Sequence, residues 1–481
     1  MTLVGADLLA LLPLLVLSGA CVVVMLAAAF WRRPAAVMAL ALLGLALSFI
    51  ALPLAAGAAP RQVTPLLTID AFALFYMGLV FAATFVVVIL AYAYHARAAA
   101  PHEAIYVLLL LAALGSAVLV ASSHFASFVL GLELLSVSLF ALIAYPRETD
   151  QPLEAGIKYL ILAGVSSAFL LFGMALIYAE YGSMDFGAIG AIVARGAGGM
   201  VFTLAGVALI LVGIGFKLAL VPFHMWTPDV YQGAPAPVAA FVATVSKGAM
   251  LALLLRWFVV TDGYRSPTIV LALSAIAIAS ILAGNLLALL QDNVKRILAY
   301  SSIAHLGYLL VAFLAAGTLA AEAVSYYLVA YFVMMLGAFG VVALLSPGGA
   351  RPDTEDLADY RGLFWRRPWV AGVFTAMLLS LAGIPLTMGF VGKFYVVAAG
   401  VGAQLWLLVV ILVVGSAIGL FYYLRIIAAM CEREPEAGAA ALPAPTGVGA
   451  WTLAVLTAVL VWLGIAPAPL IWLLQQTVVH L

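Results

Sequence analysis

Long apolar segments alternate with short polar ones along the whole chain. A segment such as Leu8 to Phe30 is apolar on every side, and it matches the length of about 20 residues with which a helix crosses about 30 Å of hydrocarbon. Strands of a membrane barrel would alternate apolar and polar positions instead. Because backbone amides in lipid need internal partners, the pattern predicts an all-α membrane protein.

Apolar runs between charged or Pro/Gly-rich breaks predict about fourteen membrane-spanning helices. Their predicted cores are Leu8 to Phe30, Ala35 to Ala56, Asp70 to Tyr94, Ala104 to Ala121, Phe125 to Tyr145, Leu153 to Tyr178, Met200 to Trp226, Ala236 to Val260, Thr268 to Leu290, Val294 to Ala316, Ala321 to Leu345, Trp369 to Gly400, Gln404 to Met430 and Gly449 to Gln475. The longest polar stretch, Ser346 to Pro368, is interpreted as a loop. We therefore expect one integral membrane domain and no soluble domain.

Composition agrees with this class of protein. Of the 481 residues, 67% are hydrophobic and 8% are charged, against about 25% charged residues in soluble domains. The net charge of zero indicates no basic surface for nucleic acid. Cys21 and Cys431 lack a paired spacing for zinc or an iron-sulfur cluster, and the GxG of GIGFK lacks the rest of a nucleotide-binding motif. We expect neither a metal nor a cofactor in this chain.

The distribution of basic residues predicts the orientation. Loops after odd-numbered spans contain Arg32, Arg33, Arg97, Arg147, Lys295, Arg296, Arg351, Arg361, Arg366, Arg367 and Arg433. Loops after even-numbered spans contain only Arg61, Arg195 and Arg265. Because positively charged loops are retained on the cytoplasmic side, we expect the odd loops in the cytoplasm and both termini outside.

Two predicted spans are interrupted. The seventh contains Pro222 and leads into Pro228, and the twelfth contains Pro385 among several glycines within LAGIPLTMGFVGKFY. Proline removes an amide donor and clashes with the preceding turn, which opens the helical hydrogen-bond ladder. Broken spans at corresponding places in two halves are typical of ion sites in transporters with inverted repeats. A simple proline kink remains the alternative for each.

Every lysine of the chain lies in or at the mouth of an apolar segment. These lysines are Lys158, Lys217, Lys247, Lys295 and Lys393. A lysine at the centre of a spanning helix costs about 2.5 to 3.5 kcal/mol on insertion scales, so its presence needs a reason. Lysine suits a proton relay because burial favours its neutral form, whereas arginine stays protonated.

The lysines differ in predicted depth. Lys247 lies about ten residues past Pro237, which places it near the bilayer midplane, and Lys217 and Lys393 are also expected well inside the membrane. Lys158 is shallower, so a side chain that reaches to the surface remains the alternative. Lys295, in QDNVKR, is interpreted as a residue of the cytoplasmic boundary.

Glu133 is the carboxylate with the longest apolar sequence on both sides, in FVLGLELLSVSLF. A buried carboxylate is either protonated or paired. Its natural partner is Lys158, since the short loop PRETDQP joins their two spans. Such a pair can switch its protonation, or it can be a static ion pair that fixes helix packing.

Two histidines lie within spans. His224 stands beside the first break and His305 lies in AYSSIAHLGY, next to Tyr300, Ser301, Ser302 and Tyr308. Histidine titrates near neutrality and can pass a proton on through either ring nitrogen. Both histidines can equally be hydrogen-bond partners between helices. For the neighbouring hydroxyl groups, hydrogen bonds between helices are the favoured interpretation.

Three strings identify a family resemblance. They are GIGFKLALVPFHMWTPDVYQGAPAPVAAFVATVSKGAM, QDNVKRILAYSSIAHLGY and GIPLTMGFVGKFYV. Together they resemble the antiporter-like membrane subunits of respiratory complex I over almost the whole chain. The resemblance implies fourteen spans with two inverted five-helix repeats, spans 4 to 8 and 9 to 13. The corresponding division is 1–100 for three N-terminal helices, 104–262 and 268–431 for the repeats, and 449–475 for a C-terminal helix.

The resemblance also implies roles by position. Glu133 and Lys158 look like the family's ion pair in spans 5 and 6, Lys217 like its broken-helix lysine, and Lys247 like its connecting lysine in span 8. Lys393 looks like the terminal group in span 12, where some relatives have a glutamate. These residues, with His224 and His305 as secondary members, form the predicted relay.

The expected function is proton translocation within an NADH-quinone oxidoreductase of the bacterial inner membrane. The resemblance implies that NADH, flavin, iron-sulfur clusters and quinone belong to partner subunits, and that the partners include antiporter-like paralogues. Two alternatives stay open. One is a subunit of a multisubunit sodium/proton antiporter, and the other is a membrane scaffold that does not pump.

Overall fold

The computed structural model describes residues 4–31, 33–96, 102–146, 149–196, 198–348, 352–433 and 447–478. Within these ranges, thirteen helices are long and apolar enough to cross a membrane. The pair Pro368–Ala382 and Met388–Gly402 forms one further, interrupted crossing, so the predicted number of fourteen spans is confirmed. Arg32, Arg97, Arg147, Arg351 and His480 lie outside the described residues.

The spans are numbered here in chain order. Their bounds are Leu12–Phe30, Pro34–Ala56, Ala71–His95, Ala104–Ala121, Phe125–Ile143, Asp150–Tyr181, Met200–Leu218 (7a) with Trp226–Gly233 (7b), Ala236–Val260, Pro267–Leu289, Val294–Leu314, Gly317–Leu345, Pro368–Ala382 (12a) with Met388–Gly402 (12b), Trp406–Cys431 and Gly447–Ile465. Short helices are Gly5–Ala10, Phe186–Ala194, Gly263–Arg265, Leu357–Tyr360, Leu363–Arg366 and Ala468–Thr477.

Two details of the prediction were wrong. The last predicted span, Gly449 to Gln475, is two helices, because Pro467 cannot continue the helix that ends at Ile465. A small antiparallel hairpin, Arg61–Thr64 paired with Leu67–Ile69, lies between spans 2 and 3. Its seven strand residues are too few to leave a readable alternating pattern.

The centre of the molecule consists of spans 8, 10 and 11. The apolar windows of these spans are 94 to 100% buried inside the chain, whereas the window of span 14 is 28% buried. Lys247 lies on span 8 and His305 on span 10, with 0% and 1% exposure. A long side chain at such a position cannot reach a membrane surface, so its polar atoms need partners within the protein.

Equivalent backbone bridges link the two predicted repeats. His124, which caps the start of span 5, pairs with Asp185 after span 6. Asn293, which caps the start of span 10, pairs with Asp356 after span 11. The same connection therefore recurs five spans later, and an odd number of crossings places the second copy on the opposite face. The division into 104–262 and 268–431 stays a prediction, which this recurrence supports.

A buried ion pair joins the N-terminal helices to the first repeat. Arg256, on span 8, donates two hydrogen bonds of 2.7 Å to the carboxylate of Asp70, which caps span 3. The guanidinium also lies over the ring of Phe72, 4.9 Å from its centroid. Sequence analysis placed Asp70 at a span edge and overlooked Arg256, because a single arginine inside an apolar run carries no sign of its partner.

Candidate functional site

Three lysines are buried within the spans. Lys217, Lys247 and Lys393 are 3%, 0% and 8% exposed. Each donates hydrogen bonds to hydroxyl groups of other spans and lies over a tyrosine ring. None of the three forms an ion pair within the described residues, so their direct hydrogen-bond partners are neutral groups.

Lys217 lies at the end of 7a, where the helix stops. Ala219 takes the left-handed conformation that ends the helix, and 7b begins only at Trp226. The Nζ of Lys217 donates to Ser136 Oγ at 2.8 Å and to the Tyr159 hydroxyl at 3.0 Å. Since Ser136 belongs to span 5 and Tyr159 to span 6, the break in span 7 points the ammonium group between these two helices.

Glu133 lies one turn before Ser136 on span 5 and is half-buried. It accepts a hydrogen bond of 2.7 Å from Ser167 Oγ on span 6. Its carboxylate interacts electrostatically with Lys217 and with Tyr159. Lys217, on the broken helix, is therefore a buried basic residue with which Glu133 interacts.

The predicted pairing of Glu133 with Lys158 was wrong. The side chain of Lys158 is 44% exposed and forms ion pairs with Glu154 at 2.7 Å and with Asp229 at 2.8 Å. Span 6 begins at Asp150 and runs for 32 residues, so its first turns extend beyond the apolar core. Ser167, which does contact Glu133, follows Lys158 by about 13 Å along the helix axis.

Lys247 lies directly after a π-helical turn, Val242–Ser246, in the middle of span 8. Such turns insert one residue into a helix and redirect the side chains that follow. Lys247 donates to Ser302 Oγ at 2.6 Å and lies 5.2 Å from the centroid of the Tyr231 ring. Ser302 is therefore the hydroxyl through which Lys247 contacts span 10.

Ser302, on span 10, joins its own helix to three others. Its hydroxyl oxygen accepts from both Lys247 and the Tyr331 hydroxyl, each at 2.6 Å. A hydroxyl has two acceptor sites and one proton, so the proton of Ser302 is left for the Tyr231 hydroxyl, which lies 3.3 Å away. Spans 7b, 8, 10 and 11 thus meet at one serine, and this branching allows proton transfer in more than one direction.

His305 lies one turn beyond Ser302 on span 10. Its Nδ1 is hydrogen-bonded to the Tyr327 hydroxyl at 2.7 Å, and its Nε2 to the Tyr423 hydroxyl at 3.1 Å. The ring also contacts Tyr331 and Tyr308, with centroids 5.6 and 5.4 Å away. Both nitrogens thus have hydroxyl partners, an arrangement that suits transfer in either direction.

Lys393 lies on 12b and faces the end of 12a. Its Nζ donates to the carbonyl of Ala382, the last residue of 12a, at 2.9 Å, and to Ser416 Oγ at 2.7 Å. The break leaves this carbonyl without a helical partner, which is why it can accept from a side chain. The ammonium also lies 5.3 Å from the centroid of the Tyr308 ring. A cavity of about 340 Å³ adjoins the group.

His224 does not join this network. It lies between 7a and 7b, is 8% exposed, and its Nδ1 has no hydrogen-bond partner among the described residues. No hydrogen bond in the described part of the chain connects it to Lys217 or Lys247. Its predicted secondary role stays a prediction.

Lys295 lies at the start of span 10, at the boundary where sequence analysis placed it, but it is buried. Its side chain is 1% exposed and forms an ion pair of 2.7 Å with Asp353, whose side chain is 3% exposed. Lys295 also donates to the carbonyls of Gln232 and Ala234, each at 2.7 Å. The loop between spans 11 and 12 covers this end of span 10, which sequence analysis could not foresee.

Sequence analysis did not assign four tyrosines that belong to this network. Tyr231, Tyr327, Tyr331 and Tyr423 connect the polar groups of four different helices. The sequence did contain an indication of a polar face on span 11, because Tyr327 and Tyr331 are four residues apart and so lie on the same face of that helix. In an apolar helix, however, tyrosine also packs as an ordinary large side chain, and only the contacts distinguish the two uses.

Comparisons with known proteins agree with this architecture. The family model described as NADH:quinone oxidoreductase/Mrp antiporter, TM, matches residues 122–419. The chain is 63% identical to NADH-quinone oxidoreductase subunit N of Nitrosospira multiformis, covering 98% of this chain and 96% of that protein. It is 51% identical to the subunit N of Methylococcus capsulatus, with 96% and 93% coverage.

Solved structures have the same fold. A chain of respiratory complex I from Thermus thermophilus with bound aureothin has a TM-score of 0.81 and 33% identity, covering 95% of this chain and 98% of that chain. A chain of the Mrp complex from Dietzia sp. has a TM-score of 0.86 at 20% identity, with 100% and 98% coverage. The second likeness, at its low identity, concerns the fold alone.

Proposed function

Because the chain belongs to the NADH:quinone oxidoreductase/Mrp antiporter family, we propose that it is a proton-translocating membrane subunit of an NADH-quinone oxidoreductase. Electron transfer in partner subunits drives outward movement of protons through this chain. NADH, flavin, iron-sulfur clusters and quinone are held by those partners, which include antiporter-like paralogues. The relatives named as subunit N, at high identity and nearly full coverage, support this assignment.

One observation carries the proposal: the buried lysines lie along a row of neighbouring polar side chains that runs through both predicted repeats. The Tyr159 hydroxyl that holds Lys217 interacts electrostatically with Tyr231, over which Lys247 lies. From Lys247 the path continues through Ser302 to His305, one turn along span 10, and through the neighbouring Tyr308 to Lys393. Glu133 stands at the beginning of the path, beside Lys217.

Lys158 has a different part in this proposal. Together with Arg296, which donates to Asp229 at 2.9 Å, it holds the carboxylate of Asp229 and so the position of 7b. It acts on Lys217 and Lys247 by placing the broken helix rather than by accepting their protons. Its exposure at the mouth of the span agrees with this part.

We propose that the chain lies in the bacterial inner membrane with its odd-numbered loops in the cytoplasm and both termini outside. Among the described residues, Arg33, Lys295, Arg296, Arg361, Arg366, Arg367 and Arg433 lie in or beside odd loops. Arg61, Arg195 and Arg265 lie in even loops. The excess of positive charge on one face supports this orientation.

A sodium/proton antiporter subunit is the second candidate, since the fold is also that of a chain in the Mrp complex. A direct test uses inverted membrane vesicles that contain the whole complex. We expect NADH oxidation to acidify the vesicle interior in proportion to the amount of this chain, and a sodium gradient without NADH to have no such effect. Sodium-driven exchange that depends on this chain, with no contribution to NADH-driven acidification, would favour the antiporter.

Glu133 is expected to be energetically coupled to Lys217 and not to Lys158. Because residues that interact electrostatically give non-additive effects, the double variant Glu133→Gln/Lys217→Met should lose less pumping than the sum of its single variants. The matched double variant Glu133→Gln/Lys158→Met should be additive. NADH-driven proton uptake by assembled complexes measures both. Coupling to Lys158 and additivity with Lys217 would contradict the geometry.

A further inference from the structure

A polar cavity opens at the face that the arginine distribution predicts to be cytoplasmic. Its volume is about 200 Å³, enough for several water molecules. Its walls come from the end of span 3, the loop after span 5, the end of 7b, the start of span 10 and the loop after span 11. All of these segments adjoin odd-numbered loops, so the cavity lies on one side of the membrane.

The ion pair of Lys295 and Asp353 lines this cavity. The carboxylate accepts a bond of 2.6 Å from the Tyr94 hydroxyl on one oxygen and one of 2.7 Å from Lys295 on the other. All three protons of the Lys295 ammonium are used, by Asp353 and by two carbonyls at the end of 7b. The buried carboxylate of Asp353 thus has a cavity large enough for water on one side and the buried ammonium of Lys295 on the other.

Ser302, which contacts Lys247, lies on the same helix as Lys295. Ser302 follows it by seven residues, which is about two turns, so both side chains lie on one face of the helix about 10 Å apart. The carbonyl of Gln232, which accepts from Lys295, is adjacent in sequence to Tyr231, the hydroxyl partner of Ser302. The cavity and the Lys247 site are therefore linked by two neighbouring elements, span 10 and 7b.

We propose that Asp353 and Lys295 form the proton intake of this chain, at which protons from the cytoplasm enter the path to Ser302 and Lys247. The proposal rests on the proposed translocation function and names the residues at its entrance. Tyr94 and the carbonyls of 7b are positioning groups that hold the pair.

The transfer proceeds in balanced steps. A hydronium in the cavity gives its proton to the Asp353 carboxylate and becomes water. The Lys295 ammonium is no longer opposite a negative charge and releases one proton through water to the Ser302 hydroxyl, which passes a proton to Lys247 in its neutral form. Lys295 is thereby left as a neutral amine. The acid proton of Asp353 then passes to that amine, which restores the ion pair. One proton has moved from the cavity to the inner network.

Blocking the cavity tests the intake without disturbing the pair. Gln151 lines the rim of the cavity, is exposed, and takes no part in the transfer steps. The variant Gln151→Cys is made in a Cys431→Ser background, because Cys431 is the exposed native cysteine at the end of span 13, on the same face. A membrane-impermeant methanethiosulfonate reagent with a cationic group is then added to inverted vesicles, whose outer surface is the cytoplasmic one.

We expect the treated Gln151→Cys complex to lose NADH-driven proton uptake severalfold against the treated Cys431→Ser control. The same reagent added to intact cells, where it meets only the opposite face, should have no effect. Reducing the mixed disulfide should restore uptake. Unchanged uptake after complete modification, verified by mass, would overturn the intake.

Variants of the pair complete the test. Asp353→Asn in an assembled complex should reduce proton uptake severalfold, and Asp353→Glu, which keeps a titratable group, should restore most of it. A purely structural ion pair predicts an assembly defect for Asp353→Asn, its rescue by Asp353→Glu, and no effect of the reagent at residue 151. Lys247→Ala is measured in parallel. Normal pumping in that variant would refute the proposed function. Loss of pumping in Lys247→Ala, together with no effect of the reagent on Gln151→Cys, would refute only the intake.

Discussion

Replacing Lys247 with arginine is expected to abolish the proton pumping of this chain while the complex stays assembled. Arginine keeps its proton at any physiological pH, so a permanently charged group would occupy the centre of the path. Lys247 is 0% exposed and donates to Ser302 at 2.6 Å, which places it at the junction of spans 7b, 8, 10 and 11. Loss of a positioned proton-transfer group lowers the rate of the proton-transfer step by about 100-fold or more.

Lys247→Ala should also abolish pumping, since a methyl group accepts no proton. We expect the same loss of pumping in Lys217→Arg and in Lys217→Ala. The measurement is NADH-driven acidification of inverted vesicles, with assembly checked on native gels. Lys158→Arg serves as the matched control, because that lysine is 44% exposed and an arginine can keep its pairing with Glu154 and Asp229. Near-normal pumping by Lys247→Arg in an intact complex would remove this lysine from the relay.

Lys393 is expected to tolerate glutamate and to be intolerant of alanine. A protonated glutamate can donate to the Ala382 carbonyl in place of the ammonium, and its carboxylate form can accept from Ser416. Glutamate binds a proton on becoming neutral and lysine on becoming charged, but each carries one proton at this position. Lys393→Glu should therefore retain substantial pumping, whereas Lys393→Ala should lose most of it.

Lys393→Gln provides the decisive control for this position. Glutamine has the shape of glutamate and can still bond both Ala382 and Ser416, but it does not titrate. If Lys393 is part of a proton relay, the glutamine variant should lose pumping while the glutamate variant retains it in the same vesicle assay. Equal pumping by the glutamine, alanine and unmodified chains would reduce Lys393 to a packing residue and end the path at His305.

Hydrophobic patterning was sufficient to locate the spans. Helices in a membrane satisfy their own backbone, so each apolar stretch of adequate length predicts one crossing without knowledge of its neighbours. The two breaks were visible for the same reason, because Pro222 and Pro385 disturb the local hydrogen-bond ladder. Burial of Lys217, Lys247 and Lys393 followed from their position along apolar segments, and the structure confirms it.

The sequence did not predict which side chains of different helices contact each other. The pairing of Glu133 with Lys158 relied on adjacent spans and a short loop, but the axial offset between spans 5 and 6 places Ser167 opposite Glu133 instead. Lys295 lies at the predicted boundary, but the loop after span 11 buries it under Asp353. Arg256 has its partner Asp70 on a helix 186 positions away.

The amino-acid sequence by itself determined the all-α membrane fold, the number of crossings, the two broken helices and the depth of the lysines, because each depends on local composition and helix geometry. Only the tertiary structure decided which groups meet. Helix rotation, offset and loop placement place Tyr231, Tyr331 and Ser302 around Lys247 and bring Asp353 to Lys295. A shift of one turn, about 5.4 Å, would separate every one of these hydrogen bonds without altering the hydrophobic pattern.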